Sequence, residues 1–380
     1  MENIPDILKE IYNNLPVYCS NADELKSIWN EYIHLSKTRF PEISIDHDGD
    51  TVRLGELSPG CLLCKNGKWD CSFITPTCNQ NCEFCISPLL NRSKIPISAY
   101  GKTMKDRIAN YKKVKIKGVS FSGGEPFLNF MEIITRLNAL KKELPENYYW
   151  LYTNGTLVTK AQIDILADSG INEIRYNTAA TAYNDKKILR IIEYSAQKIE
   201  NVTVEIPVIL KDKEILLAAI PDYVNAGIRY INLHELMKED NTPSQRLYDE
   251  NFKQFIFQDG HTTEISLDSK FLVNEIIRKM IDSKAKININ FCSTMNKLRQ
   301  IRKRRANMIR LLKKSHEKVV DEEYLETVFI FRDKDAYQFI HPDDWRDKRA
   351  NYKNYSNVAL KKIAPLSVFN EARYISAHKL

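Results

Sequence analysis

Cys78-Asn-Gln-Asn-Cys82-Glu-Phe-Cys85, followed downstream by Gly123-Gly124-Glu125-Pro126, is the part of this sequence from which the fold can be read. Three thiols spaced three and two residues apart let one short loop aim three thiolates at a single point. An electron-transfer [4Fe-4S] centre normally takes four cysteines. Three thiolates therefore suit a cluster that keeps one iron open, as catalytic metal sites keep a position open for a ligand. Cys71-Ser-Phe-Ile-Thr75 before the cysteines and Gly118-Val-Ser-Phe-Ser122 before the glycines read as two strands. The paired glycines let backbone groups approach a ligand closely, and Glu125 adds a carboxylate beside them.

C-x-x-x-C-x-x-C after a first strand and G-G-E-P after a second resembles the radical S-adenosylmethionine (SAM) superfamily, over roughly Lys68 to Phe291. The resemblance implies that Cys78, Cys82 and Cys85 hold a [4Fe-4S] cluster whose fourth iron is chelated by SAM. It further implies that Gly123, Gly124 and Glu125 hold the methionyl amine, with Pro126 also at the cofactor, and that Phe84 lies near the adenine. The implied activity is reductive cleavage of SAM to a 5′-deoxyadenosyl radical, which abstracts hydrogen from a substrate.

The strand pattern then repeats. Residues 148–153, 172–177, 202–208 and 229–234 read as further strands, with helical patterns at about 102–116, 128–143, 160–169, 184–199 and 213–226. Regular alternation of this kind predicts a parallel sheet with right-handed crossovers. The expected fold is an α/β, open (β/α)6 three-quarter TIM-like barrel. Ligands of such sheets gather at the carboxyl ends of the strands. Asn154, Arg175, Asn177 and Glu205 sit near those ends and are expected at the cofactor, with Asn232, His234 and Glu235 on the sixth strand. Arg175 and Glu205 are charged residues inside strands, which is costly unless they are paired or bound.

Three segments are expected: an N-terminal accessory segment (1–67), the partial barrel (68–291) and a small α+β extension (292–380). The first contains a helix opened by Ser20, then a hairpin around His47-Asp-Gly-Asp50, a dipeptide suited to tight hairpin turns. It ends in Gly60-Cys61-Leu-Leu-Cys64, which reads as a turn presenting two thiolates. With Cys71 and with Cys292 at the end of the apolar strand 287–291, these predict a second, mononuclear zinc or iron site of the four-thiolate kind. Cys19 reads as a small buried hydrophobe. Residues 238–268 read as a polar, irregular loop. Beyond Cys292 a basic amphipathic helix carries Leu298, Ile301, Met308 and Leu312 on its apolar stripe, with Arg302 to Arg305 solvated. A hairpin at 327–340 and a last strand near 368–375 follow.

Composition bounds the partners. The 380 residues carry a net charge of +7, short of the strongly basic balance of dedicated nucleic-acid binders. No run of eighteen apolar residues and no export signal is read, so membrane association is not expected. Clustered thiols then point to metal ligation in a reducing cytoplasm. The upstream Gly-Cys-x-x-Cys, Asn232-Leu-His-Glu235 and Phe291-Cys292-Ser followed by a basic helix resemble an archaeal subgroup. That subgroup includes activase-like proteins and an arginine C-methyltransferase. A peptide or protein substrate and a one-electron reductant of flavodoxin or ferredoxin type are the implied partners. Two alternatives stand beside this reading. One is a cobalamin-dependent C-methyltransferase, although no D-x-H-x-x-G signature is present. The other is a metal-dependent nucleic-acid binder, which leaves G-G-E-P unexplained.

Overall fold

The computed structural model describes residues 17–19, 22–37, 42–46, 51–85, 100–238, 251–257, 262–320, 324–333, 336–344 and 357–363. Ser20, the His47–Asp50 turn and the strand expected near 368–375 lie outside them. The chain divides into two compact units. The first comprises residues 1–65, 69–95 and 117–299, and the second residues 66–68, 96–116 and 300–380.

The first unit is built on an open nine-stranded sheet. Six parallel strands form its body: β4 (Trp69–Phe73), β5 (Gly118–Ser122), β6 (Tyr148–Thr153), β7 (Glu173–Tyr176), β8 (Asn201–Val208) and β9 (Tyr230–Glu235). Each strand pairs with the next, and the sheet does not close on itself. The helices of this unit between them are α4 (Phe130–Glu143), α5 (Lys160–Asp168), α6 (Lys186–Lys198) and α7 (Lys213–Asn225); α1 (Ala22–Lys37) and α2 (Pro59–Lys65) precede β4, and α3 (Met104–Val114), between β4 and β5 in sequence, belongs to the second unit. This is the expected α/β partial barrel. The sheet is wider than six strands, however. β13 (Asn288–Cys292) runs parallel to β9, and the hairpin β2 (Ile43–Asp46)–β3 (Thr51–Leu54) pairs antiparallel to β13. The N-terminal hairpin is thus a continuation of the barrel sheet.

Local chemistry sets the helix starts. Thr159 and Gln162 form a reciprocal capping box at α5, and Asp185 accepts the Lys187 and Ile188 amides at α6; such side chains satisfy amides that have no partner within the helix. Along each strand the side chains alternate. Ile174, Tyr176, Val204, Ile206, Ile231 and Leu233 are buried apolar positions, and Tyr176 Oη reaches Ser195 of α6 at 2.7 Å. The opposite face carries Tyr148, Trp150, Tyr152, Glu173, Arg175, Thr203, Glu205, Asn232, His234 and Asn290 in register. A parallel sheet covered on both sides is usually apolar throughout; a polar inner face marks where something other than core is housed.

Two sequence expectations change here. The Cys61–Cys64 segment is a helix, α2, rather than a turn, and it lies on the polar face: a Cβ added to Gly60 would collide with Arg175 Nη2. Within 238–268, expected to be irregular, β11 (Phe252–Phe257) and β12 (Thr262–Ser266) pair with β1 (Val17–Cys19) and β10 (Met237–Lys238) as a second sheet. Helix α8 (Leu267–Asp282) follows, capped by Ser266.

In the second unit, β14 (Lys318–Val320), β15 (Tyr324–Asp333), β16 (Ala336–Ile340) and β17 (Asn357–Ile363) form an antiparallel sheet. The hairpin β15–β16 is the expected one; β14 and β17 add to it. Helix α9 (Thr294–Leu312) carries the basic run, and here Arg304 is 3% exposed rather than solvated. The turn 66–68 lies against the helix there: a Cβ on Gly67 (φ +65°) would stand 2.6 Å from Arg304 N, and Asn307 Nδ2 reaches the Gly67 carbonyl at 3.4 Å.

Candidate active site at the cysteine loop

The loop after β4 and the turn after β5 are pinned together by backbone. Gly124 N donates to Thr75 O and Glu125 N to Thr77 O, both at 2.8 Å. A Cβ on Gly123 would collide with Thr75 O, and one on Gly124 with Thr77 O. Gly123 also has φ +149°. Beside the close approach of a ligand expected of these glycines, they admit the chain leading into Cys78.

Glu125 is 0% exposed, and its carboxylate is shared three ways. It accepts from Phe127 N (3.0 Å), Thr153 Oγ1 (2.8 Å) and Asn154 N (2.7 Å). Burial raises its pKa above the usual carboxylate range, against the three hydrogen bonds that favour the charged form. The side chain therefore organises the ends of β5 and β6. Pro126 is buried at the first position of a short 3-10 turn, Pro126–Asn129, where its missing N–H costs nothing.

The three loop cysteines are part-exposed and not disulfide-bonded. They are close enough to act on one another: burial pushes the Cys82 thiol up to about 12, and the charges of Cys85 and Cys78 add to that effect. Among the described residues no three His, Cys, Asp or Glu side chains converge into a formed metal cage. Phe84, between the last two, packs against Ile209 and Leu236. It also lines a cavity of about 310 Å³ with Cys82, Ala182, Tyr183, Ile209 and Asp212. Ala182 and Tyr183 hold left-handed backbone (φ 54° and 67°) there, braced by Tyr223 Oη on the Tyr183 carbonyl at 2.8 Å and by Tyr183 Oη on Asp212 at 2.9 Å.

The remaining expected site residues separate into two groups. Asn154 lies beside Cys78, its amide bonded to Asn79 at 2.8 Å. Asn177 Oδ1 is buried and accepts no hydrogen bond among the described residues. Arg175, by contrast, is 2% exposed and is engaged under α2. Its guanidinium meets Glu173 at 2.8 Å, Glu205 at 2.6 Å and Ser58 Oγ at 3.0 Å, and stacks near Trp150 and Tyr152. Arg175 and Glu205, expected at the cofactor, thus pair with each other. Burial alone would raise the Glu205 carboxyl; the charges of Arg175 and His234 more than reverse this and hold it well below the usual range. His234 Nε2 lies 2.9 Å from Glu205, while burial and the Lys297 charge lower its own pKa below the usual histidine value.

Of the second cysteine group, Cys64 lies within electrostatic reach of Cys61 and Cys292. Burial raises the Cys64 thiol, and the charges of Cys61 and Cys292 raise it further against Arg175. Cys71 stands on β4 on the same face as Trp69. Sequence reasoning missed a buried ion pair next to this group. Lys270, 0% exposed, meets Glu235 Oε1 at 2.9 Å, while Glu235 Oε2 accepts the Thr294 amide at the start of α9. Glu235 is thereby structural. Its signal in the sequence, an acid at a strand end, did not distinguish it from His234.

Comparison with known proteins agrees with this geometry. The Radical SAM superfamily model matches residues 72–212, from β4 to just beyond β8. A Methanocaldococcus jannaschii protein provisionally named a glycyl-radical enzyme activating enzyme is 28% identical over 296 residues, covering 74% of this chain and 75% of that protein. Streptococcus suis SuiB bound to S-adenosylmethionine superposes with a TM-score of 0.45 at 16% identity, over 60% of this chain and 50% of SuiB. SuiB bound to its precursor peptide SuiA gives 0.44 at 16% identity, over 70% and 61%. The match spans about half the length of the SAM-bound SuiB chain. With the cysteine loop and the G-G-E-P turn pinned together at the ends of β4 and β5, and a family model running through both, this chain carries a radical SAM domain over residues 72–212.

Proposed function

We propose that Cys78, Cys82 and Cys85 hold a [4Fe-4S] cluster and that the protein uses it with SAM to abstract hydrogen from a residue of a peptide or protein. The observation that carries this reading is the pair of backbone hydrogen bonds from Gly124 and Glu125 to Thr75 and Thr77, which holds the cysteine loop at the carboxyl ends of the strands. The donor set fits the cluster: three part-exposed thiols on one loop, with Cys82 within electrostatic reach of the other two. Asn177 Oδ1, buried and without a partner among the described residues, fits a cofactor hydroxyl, and the cavity beside Phe84 fits a nucleobase. When bound, the cluster and SAM supply a 5′-deoxyadenosyl radical after one-electron reduction. The chain's own residues hold the loop, line the cavity and exclude water, since the cofactor carries the difficult step. A peptide or protein substrate is supported by the activating-enzyme name of the Methanocaldococcus relative. The electron would come from a flavodoxin- or ferredoxin-type reductant in a reducing compartment such as the cytoplasm. No helix among the described residues is long and apolar enough to cross a membrane.

The test is anaerobic reconstitution with iron and sulfide, reduction, and incubation with SAM. 5′-Deoxyadenosine is the expected product, and a loaded cluster that yields none overturns the reading. A second site, with Cys61, Cys64, Cys71 and Cys292 around one zinc or iron, is supported by the charges of Cys61 and Cys292 acting on Cys64. Replacing Cys78, Cys82 and Cys85 together by Ala should leave about one metal per chain, as one four-thiolate site binds; a metal-free triple variant rejects it.

A further inference from the structure

The three loop thiols have different surroundings. The Gln80 N–H donates to Cys78 Sγ at 3.4 Å, and Asn154 Nδ2 stands 4.0 Å from the same sulfur. Asn154 comes from a different element, the end of β6, and is 7% exposed. Its orientation is determined by its partners. Oδ1 accepts the Thr156 amide at 3.0 Å, an obligate donor, so the oxygen must face Thr156 and the two N–H groups must face Asn79 and Cys78. A closed ring of side chains reinforces this. Asn154 Nδ2 donates to Asn79 Oδ1 (2.8 Å), Asn79 Nδ2 to Thr156 Oγ1 (2.7 Å), and Thr156 Oγ1 to Asn154 Oδ1 (2.6 Å). The Asn154 backbone is held in turn by Glu125 Oε2 at 2.7 Å.

One amide hydrogen of Asn154 serves Asn79; the other is left on the side of Cys78. We propose that Asn154 is a positioning residue whose side-chain N–H tunes the Cys78 thiolate of the cluster, with Asn79 and Thr156 holding it in that orientation. This rests on the reading that Cys78, Cys82 and Cys85 carry the cluster. Hydrogen bonds to ligating sulfurs are among the levers that set cluster potentials, and residues that orient a ligand from behind it tune the metal. An N–H aimed at a thiolate stabilises the reduced, more negative cluster and so makes its one-electron reduction easier. In this arrangement Glu125 acts at a distance: it orients Asn154, and Asn154 acts on Cys78. The G-G-E-P acid is thereby linked to the electronic state of the first cysteine through two hydrogen-bonded residues.

The experiment uses the full chain, reconstituted anaerobically with iron and sulfide, and reads the cluster's midpoint potential by EPR-monitored redox titration. Asn154→Ala should load the cluster and titrate at a more negative potential. We expect about a tenfold lower reduced fraction at a given solution potential, which is 59 mV for a one-electron couple. Asn154→Asp should move further in the same direction, because it replaces the donor by a negative charge. Thr156→Val should shift less, since it keeps the donor and only loosens it. A merely structural clamp would change loading or stability and leave the midpoint where it is. Fully loaded Asn154→Ala and Asn154→Asp variants with the wild-type midpoint would overturn the proposal. If neither loads, an unchanged midpoint in Thr156→Val and Asn79→Ala overturns it equally. A wild-type chain that takes up no [4Fe-4S] cluster is a separate failure, of the underlying reading, and is visible before any variant is titrated.

Discussion

Gly124→Ala tests the idea that the glycine pair exists for the crossing chain. The new methyl would collide with Thr77 O, lie against the Thr77 carbonyl carbon, and stand 2.9 Å from Cys78 N. All three are backbone atoms, so no side chain can rotate aside. Overpacking of this kind costs about 1–3 kcal/mol. Displacing Thr75–Thr77 would also weaken the two 2.8 Å hydrogen bonds from Gly124 and Glu125, each worth about 0.5–1.5 kcal/mol. Together the variant should lose about 2–6 kcal/mol, with the damage centred on the cysteine loop. The assays are urea unfolding and iron and sulfide content after reconstitution. We expect a lower unfolding midpoint and a larger fall in cluster occupancy than in helical content. Wild-type stability with full cluster loading would refute the reasoning, because it would mean that the loop can cross the turn elsewhere.

The buried ion-pair network supplies two further predictions. Arg175→Met removes the partner of Glu173 and Glu205 and should cost about 3–5 kcal/mol in chemical unfolding, the usual penalty for breaking a buried pair on one side; a loss under 1 kcal/mol would show that water reaches these carboxylates. The same pair predicts a pH dependence. Because Arg175 and His234 hold Glu205 below its ordinary range, the stability that Glu205 contributes is present above the unfolded carboxylate pKa and is lost as pH falls through the folded value. The deficit of Arg175→Met should therefore narrow at low pH, as the wild type loses what the variant never had. A deficit that widens on acidification would reverse the assigned sign.

Much of this protein is written in local pattern. The alternation of apolar residues with period 2 and then 3.6 was enough to place β5 and β6 at their observed bounds and the other barrel strands within a residue or two. The spacing of Cys78, Cys82 and Cys85 and the residues of Gly123–Pro126 likewise carry the resemblance to the radical SAM superfamily without coordinates. These features depend on neighbours in sequence, and neighbours in sequence are visible. What each residue does once placed depends on contacts between distant segments, and those only the tertiary structure decides. Gly124 lies against Thr77, Glu125 serves Asn154, Arg175 pairs with Glu173 and Glu205, and Arg304 is buried in the helix beside the turn at Gly67. A charged residue in a strand looks the same whether it will meet a cofactor or a counter-ion. The register of nine strands, with α2 laid across their polar face, is what brings Arg175 to Glu173 and Glu205.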